Sequence, residues 1–325
     1  MVARVFLVVA ILFMAACGIF PSGDGAHRLI LKNHSLAGKI WDVNQGRFVN
    51  KSDLLTEVIK NEYILLGETH DNILHHQGQA WVIDGLKTNK KSSIVAFEMI
   101  DQAQSKFVID KKYESADSLI NGLNHVKTTW KYERNYKPVF ESVLAAGYAI
   151  YPANLDRSAI VAIGRKGRDE VSPHIKPYLD KNTYTPEQEK ALRKEIKMSH
   201  CGMDNPHMAT AMMLTQRVKD AVMTDSLLRK VKVDTRVLIA GSGHVRNDRG
   251  VPMYLQRENI KAKILTIAWL EVAEELSSIE AYTEHWGIEQ LPFDYVWFTA
   301  RVDRPDPCES FRRHMEKKKA KAETS

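Results

Sequence analysis

Cysteine is scarce in this chain, with three cysteines among 325 residues. They are Cys17, Cys201 and Cys308, and no two of them have the C-x-x-C spacing, so a cysteine-rich zinc site is not expected. Cys201 and Cys308 can pair in an oxidising compartment or stay free, and the sequence leaves both options open.

Long apolar runs are also missing. The longest unbroken run extends from Val5 to Phe13, well short of the roughly 20 residues that cross a bilayer. Arg4 precedes it, and this charge followed by a short apolar run is typical of a secretory signal. The sequence therefore predicts an exported protein with no transmembrane helix.

A short motif follows the apolar run. Met14-Ala-Ala-Cys17-Gly18 resembles the lipobox of bacterial lipoproteins, which are cut before the cysteine and acylated on it. We therefore expect a signal peptide over residues 1–16, a lipid on Cys17 and a tether over 17–27. Several acyl chains would anchor the protein stably. Gly18 is not the aspartate that retains lipoproteins at the inner membrane, which favours the outer membrane. An ordinary signal peptide cut nearby is the alternative.

The charge balance is basic, with a formal net charge of +6 and a pI of about 9.0. The basic residues are scattered apart from residues 165–168 and a tail over 306–325. Such tails are usually solvated. Because the chain is predicted to be exported, we expect no nucleic-acid partner, and a basic surface that faces anionic lipid is the better interpretation.

Short apolar strands alternate with helical patterns from residue 28 to 305. Strand-like runs occupy residues 63–66, 93–97, 148–151, 236–240, 263–267 and 295–298, and helical patterns occupy 75–86, 101–125, 139–146 and 186–232, the last broken around Gly202 and Pro206. This alternation predicts one α/β domain, with a mainly parallel central sheet flanked by helices on both faces and with helical insertions.

Polar residues follow the predicted strands, where such sheets place their ligands. Two turns, Gly67-Glu68-Thr69-His70 and Gly241-Ser-Gly-His244, follow two different strands, and Glu98 ends a third. If those strands are close together, these side chains converge in a site that could bind a metal, transfer protons or surround a flat cofactor. The alternative is that the histidines are merely solvated or cap helices. His75 and His76 fit either the site or a helix surface.

Known catalytic signatures are absent. The chain has no P-loop, no H-E-x-x-H and no Gly-x-Ser-x-Gly elbow, so Ser242 is not expected to be a nucleophile.

Several motifs occur in a consistent order between about Trp41 and Ile267. They are the run from Leu65 to Asn72 with His75, His76 and Gln79, then Phe97-Glu98-Met99, Trp130 with Tyr136-x-Pro138, Ala153-Asn154, His200-Cys201-Gly202, Gln216-Arg217 with Asp220-Ala221, Ile239 to Val245, and Gly250-Val251-Pro252. Together they resemble the ChaN-like family of haem-binding lipoproteins, in a superfamily that also includes Tiki proteases and erythromycin esterases.

The resemblance implies haem binding in iron acquisition at the outer membrane of a Gram-negative cell. It also implies a homodimer with haem at the interface, and we expect an outer-membrane haem receptor as a partner. Haem iron takes His, Met, Cys or Tyr ligands. We considered Tyr132, Tyr136, His200 and His207 as haem-binding residues. Both tyrosines equally fit a place in the core.

Two further interpretations remain open. In a Tiki-like metal-dependent hydrolase, His70, Glu98 and His244 would bind a divalent metal, or one of the two histidines would act as a general base. Glu68 or Glu98 would ligate the metal or relay a proton. In the erythromycin-esterase branch, such a histidine would activate water. Alternatively, the motif residues only brace loops at the strand ends. Among these, we favour the haem-binding protein.

Overall fold

The computed structural model describes residues 28–203, 205–306, 308–309, 312–313 and 316. The predicted signal peptide, Cys17, the tether and most of the basic tail lie outside these residues. Within the described ranges, no helix is long and apolar enough to cross a membrane.

A central sheet of eight strands organises the chain. The described residues form ten strands in all: β1 (Leu29–Ile30), β2 (Ile40–Asp42), β3 (Arg47–Val49), β4 (Tyr63–Glu68), β5 (Ser93–Asp101), β6 (Ala149–Asn154), β7 (Thr235–Gly241), β8 (Ile264–Glu271), β9 (Tyr295–Thr299) and β10 (Arg301–Val302). The large sheet has the order β3-β2-β9-β8-β4-β7-β5-β6, and β1 pairs separately with β10. β2 is antiparallel to β3 and β9, whereas all pairings from β9 to β6 are parallel. The predicted α/β class with a mainly parallel sheet is therefore confirmed.

Helices fill most of the connections between strands. They are α1 (Lys51–Val58), α2 (Ile73–Thr88), α3 (Ala116–Leu123), α4 (Tyr132–Asn135), α5 (Lys137–Ala146), α6 (Arg157–Lys166), α7 (Lys176–Lys181), α8 (Pro186–Ser199), α9 (Pro206–Leu227), α10 (Val251–Glu258) and α11 (Ile279–Trp286). Short 3₁₀ turns cover Gln102–Phe107, Gly167–Glu170 and Ser242–His244.

The sheet is buried on both faces, as expected for parallel strands. In β4, Ile64 and Leu66 point into one core with side chains of α1, α2, α3 and α5. Leu65 points into the opposite core with side chains of α9, α10 and α11. This alternation follows from the two-residue period of a strand.

The connection from β6 to β7 is a helical insertion that contains α6 to α9. It has a core of its own, to which Ile163, Leu179, Leu192 and Met213 contribute. The far end of α9 leaves this core and packs on the sheet through Met223. One long helix therefore links the insertion to the central domain.

Side-chain caps fix the starts of two helices. Asn72 caps α2 by accepting a hydrogen bond from the backbone N–H of Leu74, at 3.0 Å. Asn205 caps α9 through the N–H of Met208, at 3.1 Å, with Pro206 in the first helical position. Such caps satisfy backbone donors that have no partner within the helix. The cap at Asn72 places His75 and His76 in the first turn of α2.

Candidate functional site

The carboxyl ends of β4, β5 and β7 bring the two Gly-x-x-His turns together. His70 Nε2 lies 3.8 Å from one carboxylate oxygen of Glu98, and His244 Nε2 lies 3.4 Å from the other. The strand order places β7 between β4 and β5, so the three strand ends meet at one edge. Glu98 is thus the centre of a buried cluster formed with Glu68, His70 and His244.

Glu68 and His70 form the first carboxylate–histidine pair. His70 Nδ1 lies 2.9 Å from Glu68 Oε1, and because an ionised carboxylate can only accept, Nδ1 carries the hydrogen. The same carboxylate accepts from Gln79 Nε2 and from the Tyr136 hydroxyl, both at 2.6 Å. Burial alone would raise the pKa of Glu68, but the charge of His76 and hydrogen bonds from both histidines hold it well below its ordinary value.

This tautomer leaves a lone pair on Nε2 of His70. That nitrogen is buried and has no hydrogen-bond partner in the part of the chain that the structure describes. The ring of Trp130 lies edge-on to the His70 ring, with centroids 4.9 Å apart. Asn135 Nδ2 donates to the His70 carbonyl at 3.1 Å, which fixes the backbone of the turn. A held imidazole with a bare lone pair is the geometry of a proton acceptor.

His75 and His76 are fully buried, so the helix-surface interpretation is wrong for both. His75 Nδ1 accepts from the Thr69 N–H at 2.9 Å, and its Nε2 lies 2.8 Å from the Thr299 hydroxyl. Burial lowers the pKa of His75 well below its usual value. Burial would do the same to His76, but the adjacent Glu68 carboxylate raises the pKa of His76. His75 therefore braces the turn, and His76 supplies a positive charge beside Glu68.

His244 and Asp220 form the second pair, 2.5 Å apart through Nδ1. Burial would lower the pKa of His244, but the carboxylates of Glu98 and Asp220 raise it to about 9. Burial raises the pKa of Asp220, against the opposing charge of His244. At neutral pH the imidazolium of His244 is held between two acidic groups.

Lys219 completes the cluster from α9. Its ammonium group donates to Glu98 Oε1, and the backbone N–H of Gly241 donates to Glu98 Oε2 at 2.8 Å. Burial would raise the pKa of Glu98, but the charges of Lys219 and His244 keep it well below its usual value. A side chain at Gly241 would put a Cβ 3.1 Å from His70 Nε2, so glycine allows this close approach.

The sequence pointed to Asp220 but not to Lys219. A lysine-aspartate pair inside the apolar stretch Val218 to Met223 is a signal that a buried ion pair leaves in a helix. The assignment of Lys219 to Glu98 required the position of α9, which only the packing provides.

The predicted metal role of His70, Glu98 and His244 gains no support from this geometry. Among the described residues, no group of three or more His, Cys, Asp or Glu side chains is arranged to hold a metal ion. The reason is local: the Lys219 ammonium donates to one oxygen of Glu98, and the backbone N–H of Gly241 donates to the other.

The four residues considered for haem lie in two different places. Tyr132 and Tyr136 are buried, and their hydroxyls donate to the Met99 carbonyl and to Glu68 respectively. Burial raises the pKa of both phenols, so both stay protonated. His200 and His207 instead lie near the α8–α9 connection, where His200 is half-buried and His207 is exposed.

The α8–α9 connection also carries a disulfide. Cys201 pairs with Cys308, with a Cα–Cα distance of 5.4 Å, which settles the pairing that the sequence left open. Cys201 and Gly202 both have positive φ, 59° and 79°, and reverse the chain sharply. The bridge attaches the segment after β10 to this turn.

Comparison with known proteins gives one informative structure. ChaN of Campylobacter jejuni, solved with cofacially bound haem, has a TM-score of 0.62 and 25% identity, and the match covers 79% of this chain and 95% of ChaN. The type III effector HopBA1 and a mutant of the erythromycin esterase EreC each have 12% identity and a TM-score of 0.44. The match to HopBA1 covers 76% of this chain and 91% of HopBA1, and the match to EreC covers 82% of this chain and 98% of EreC. Likeness this low supports no functional argument.

No curated protein sequence matches the chain. The sequence model of the family described as "Haem-binding uptake, Tiki superfamily, ChaN" matches residues 54–255, which is more than half of its length. That range includes both Gly-x-x-His turns, Glu98, the helical insertion and Asp220. The chain therefore belongs to the ChaN family of haem-binding uptake proteins in the Tiki superfamily.

Proposed function

We propose that this protein binds haem. The observation that carries the proposal is the family match over residues 54–255, together with the likeness to a ChaN structure that contains cofacial haem. A haem site needs an apolar surface, a donor for iron and cations for the propionates. Each of these can be tested against the described residues.

The available donors favour the helical insertion. The phenols of Tyr132 and Tyr136 are buried and engaged, and Cys201 is in a disulfide. His200 Nδ1 donates to the Ile196 carbonyl at 2.8 Å, which leaves a lone pair on Nε2. A backbone carbonyl behind one ring nitrogen is a common support for a histidine that ligates a metal through the other. His200 therefore fits the iron-ligand role best, with His207 as a second candidate.

The surroundings of His200 also suit a porphyrin. Met198 on α8, two residues before His200, is one of the large apolar side chains that remain exposed, at 46%. Methionine adapts well to flat apolar ligands. Arg193 and Lys194 are exposed on α8 and would pair with propionates. The residues present thus fit haem at the outer surface of the insertion.

A haemin titration of the purified full chain tests this proposal. We expect a saturable Soret band that His200→Ala weakens or shifts, while Tyr132→Phe leaves it unchanged. His207→Ala separates the two histidines. A non-saturating spectrum of the unmodified protein would refute haem binding. If only Tyr132→Phe loses the band, the protein still binds haem, but Tyr132 and not His200 is the iron ligand.

We further propose an envelope location with a lipid on Cys17, at the outer membrane of a Gram-negative cell, and a role in iron uptake. The Cys201–Cys308 disulfide supports an oxidising compartment, because such bonds are rare in the cytosol. Metabolic labelling with a radioactive fatty acid should mark the unmodified protein and not Cys17→Ser, and membrane fractionation should locate it.

A haem-linked homodimer and transfer to an outer-membrane haem receptor are parts of the same proposal. Sedimentation with and without haemin tests the dimer: we expect the dimer to form or strengthen when haemin is added. An unchanged monomer under saturating haemin would exclude it.

One observation favours a second candidate function, hydrolysis by acid–base chemistry. The Glu68–His70 pair leaves a bare Nε2 that could take a proton from water attacking an ester. A panel of chromogenic esters tests this, with His70→Ala and Glu68→Gln as comparisons. If the unmodified protein hydrolyses the esters no faster than His70→Ala does, the hydrolase function is refuted.

A further inference from the structure

Four basic segments meet at the amino ends of neighbouring parallel strands. They are residues 257–263 before β8, 59–62 before β4, 228–236 at β7 and 87–92 before β5. Backbone hydrogen bonds join them directly: Tyr63 N–H donates to Lys263 O at 2.9 Å, Arg236 N–H to Glu62 O at 2.8 Å, and Asp234 N–H to Ser92 O at 3.1 Å. The sheet thus makes one continuous surface from segments that are far apart in sequence. We call these four segments the basic edge.

The basic edge concentrates the charge of the chain. Its segments contain eight lysines, three arginines and three acidic residues, whereas the whole chain has a net charge of only +6. The remainder of the chain is therefore slightly acidic. Glu62 and Glu258 pair with Arg236 and Lys181, which reduces the acidic charge that remains free at this edge. The segment before β9 carries Glu289 and Asp294 and borders the edge without belonging to it.

Ile260 projects from the basic edge. It is 91% exposed, the highest value among the exposed large hydrophobic residues of the described chain. The turn that holds it is ordered: Ala262 N–H donates to Asn259 O at 2.9 Å, and Lys261 N–H donates to Asn259 Oδ1 at 3.1 Å. A single exposed isoleucine is ordinary on a protein surface. Here it is held on a fixed turn and flanked by cations.

We propose that the basic edge docks on an anionic phospholipid surface, with Ile260 entering the interface. Clusters of basic residues near a membrane are attracted by anionic headgroups, and apolar side chains between them add to binding. Lysine predominates over arginine, which suits diffuse attraction to headgroups better than bidentate recognition of particular groups. The edge also lacks the exposed aromatic residues on which single-stranded nucleic acid stacks.

The covalent reach of the chain allows this docking alongside the proposed lipid anchor. Arg28 lies beside Asp303, beyond the carboxyl end of β9. It is therefore at the opposite end of the parallel strands from the basic edge. The eleven residues from 17 to 27 can span at most about 36–40 Å. A strand of six residues such as β4 is only about 20 Å long. An anchored molecule can therefore lay the basic edge on the same leaflet.

Vesicle flotation tests the proposal with the full chain carrying Cys17→Ser, so that no acyl chain contributes. Vesicles of phosphatidylcholine alone are compared with vesicles that also contain phosphatidylglycerol, at low and high salt. Any binding through the apolar run Val5 to Phe13 is the same for both vesicle compositions, so it does not affect the comparison. We expect stronger binding to the anionic vesicles, and we expect this preference to be lost at high salt because exposed charges are screened.

Two matched variants locate the surface. Neutralising Lys90, Lys232, Lys261 and Lys263 to Gln should weaken anionic-vesicle binding by roughly several hundredfold, since each nearby cation is worth about fivefold in affinity. Neutralising Lys106, Lys111, Lys112 and Lys131 removes the same charge beyond the carboxyl end of β5 and should change little. Ile260→Ser should reduce binding by about tenfold.

Three results would overturn the proposal. Equal binding to neutral and anionic vesicles would leave no role for charge. An equal loss in both quadruple variants would assign the effect to net charge rather than to this edge. Absence of binding to any vesicle would refute docking on lipid and would favour an acidic protein as the partner of the basic edge. None of these results bears on haem, so failure here is distinguishable from failure of the haem proposal.

Discussion

Buried charge is balanced residue by residue around Glu98. The carboxylates of Glu68, Glu98 and Asp220 face the cations of His76, Lys219 and His244. An unpaired charge in such a place would cost several kcal/mol, so each partner stabilises the fold only while the other is present. Protonation and single substitutions should therefore have measurable effects on stability.

His244 should make stability fall at alkaline pH. Its pKa rises from an ordinary 6.5 to about 9 in the fold, where two carboxylates hold the charged form against burial. This contribution is fully present below pH 6.5 and is lost as the pH rises through about 9. We expect urea unfolding to show a loss of roughly 3 kcal/mol across that range. His244→Gln should flatten the profile; an unchanged slope would contradict the assignment.

Lys219→Met should destabilise the protein strongly. The change removes the ammonium group that donates to Glu98 Oε1 and leaves the buried carboxylate with Gly241 N–H, His244 and the more distant His70. Removing one member of a buried pair costs about 3–5 kcal/mol. Glu98→Gln in the same chain removes the orphaned charge and should restore part of the loss. A double variant no more stable than Lys219→Met would show that the two residues are not coupled.

At the scale of elements, α2 packs closely against β8 at Gly78. A Cβ at Gly78 would lie 2.2 Å from the indole nitrogen of the fully buried Trp269. Gly164 in α6 has nothing within 4 Å of its Cβ position. The two glycines therefore occupy opposite environments within regular helices.

Gly78→Ala should cost about 1–3 kcal/mol, because an overpacked core must shift to admit the methyl group. Gly164→Ala should instead be neutral or gain up to about 1 kcal/mol from helix propensity. Chemical unfolding of both variants measures the difference, and tryptophan fluorescence reports disturbance of Trp269. Equal stability of the two variants would contradict the packing.

The positions of the central strands along the chain were predictable from the sequence, because buried parallel strands are short continuous apolar runs. All six predicted runs, including 63–66 and 236–240, lie within or overlap observed strands. The hairpin β2–β3 was missed because its strands have three residues each and carry no long apolar pattern. Helices α6 and α7 were missed because they have only ten and six residues, too few for a clear helical pattern of apolar positions.

The candidate site was predictable only where strand ends define it. His70, Glu98 and His244 lie at the carboxyl ends of parallel strands, which share one edge of a sheet. Their proximity also depends on the position of β7 between β4 and β5, which the sequence left open. Lys219 reaches Glu98 from a helix, and its direction depends on the rotation of α9 between two cores. Tyr136 was considered for haem, yet a sequence does not reveal that its hydroxyl is bound to Glu68.

At the scale of the whole molecule, the disulfide spans a large part of the chain. Cys201 and Cys308 are 107 residues apart and join the tip of the insertion to the segment after β10. A bridge that closes so long a loop restricts the unfolded chain strongly. The bond should therefore affect global stability and not only the local turn.

Cys308→Ser should lower the free energy of unfolding by about 4–5 kcal/mol, the entropy expected for closing a loop of this size. A reducing agent should destabilise the unmodified protein to a similar degree. It should have no effect on Cys308→Ser, which serves as the control. If the reducing agent leaves the unfolding transition of the unmodified protein unchanged, the bridge makes no such contribution.

The position of β7 also constrains how the chain can be made. β7 separates β4 from β5, although 133 residues, 102 to 234, lie between β5 and β7 along the chain. A nascent polypeptide that ends before residue 235 has β4 and β5 but lacks the strand that joins them. Its N-terminal part therefore cannot complete the native sheet during synthesis. The proposed export requires an unfolded chain, and a sheet that is completed this late in synthesis suits that requirement.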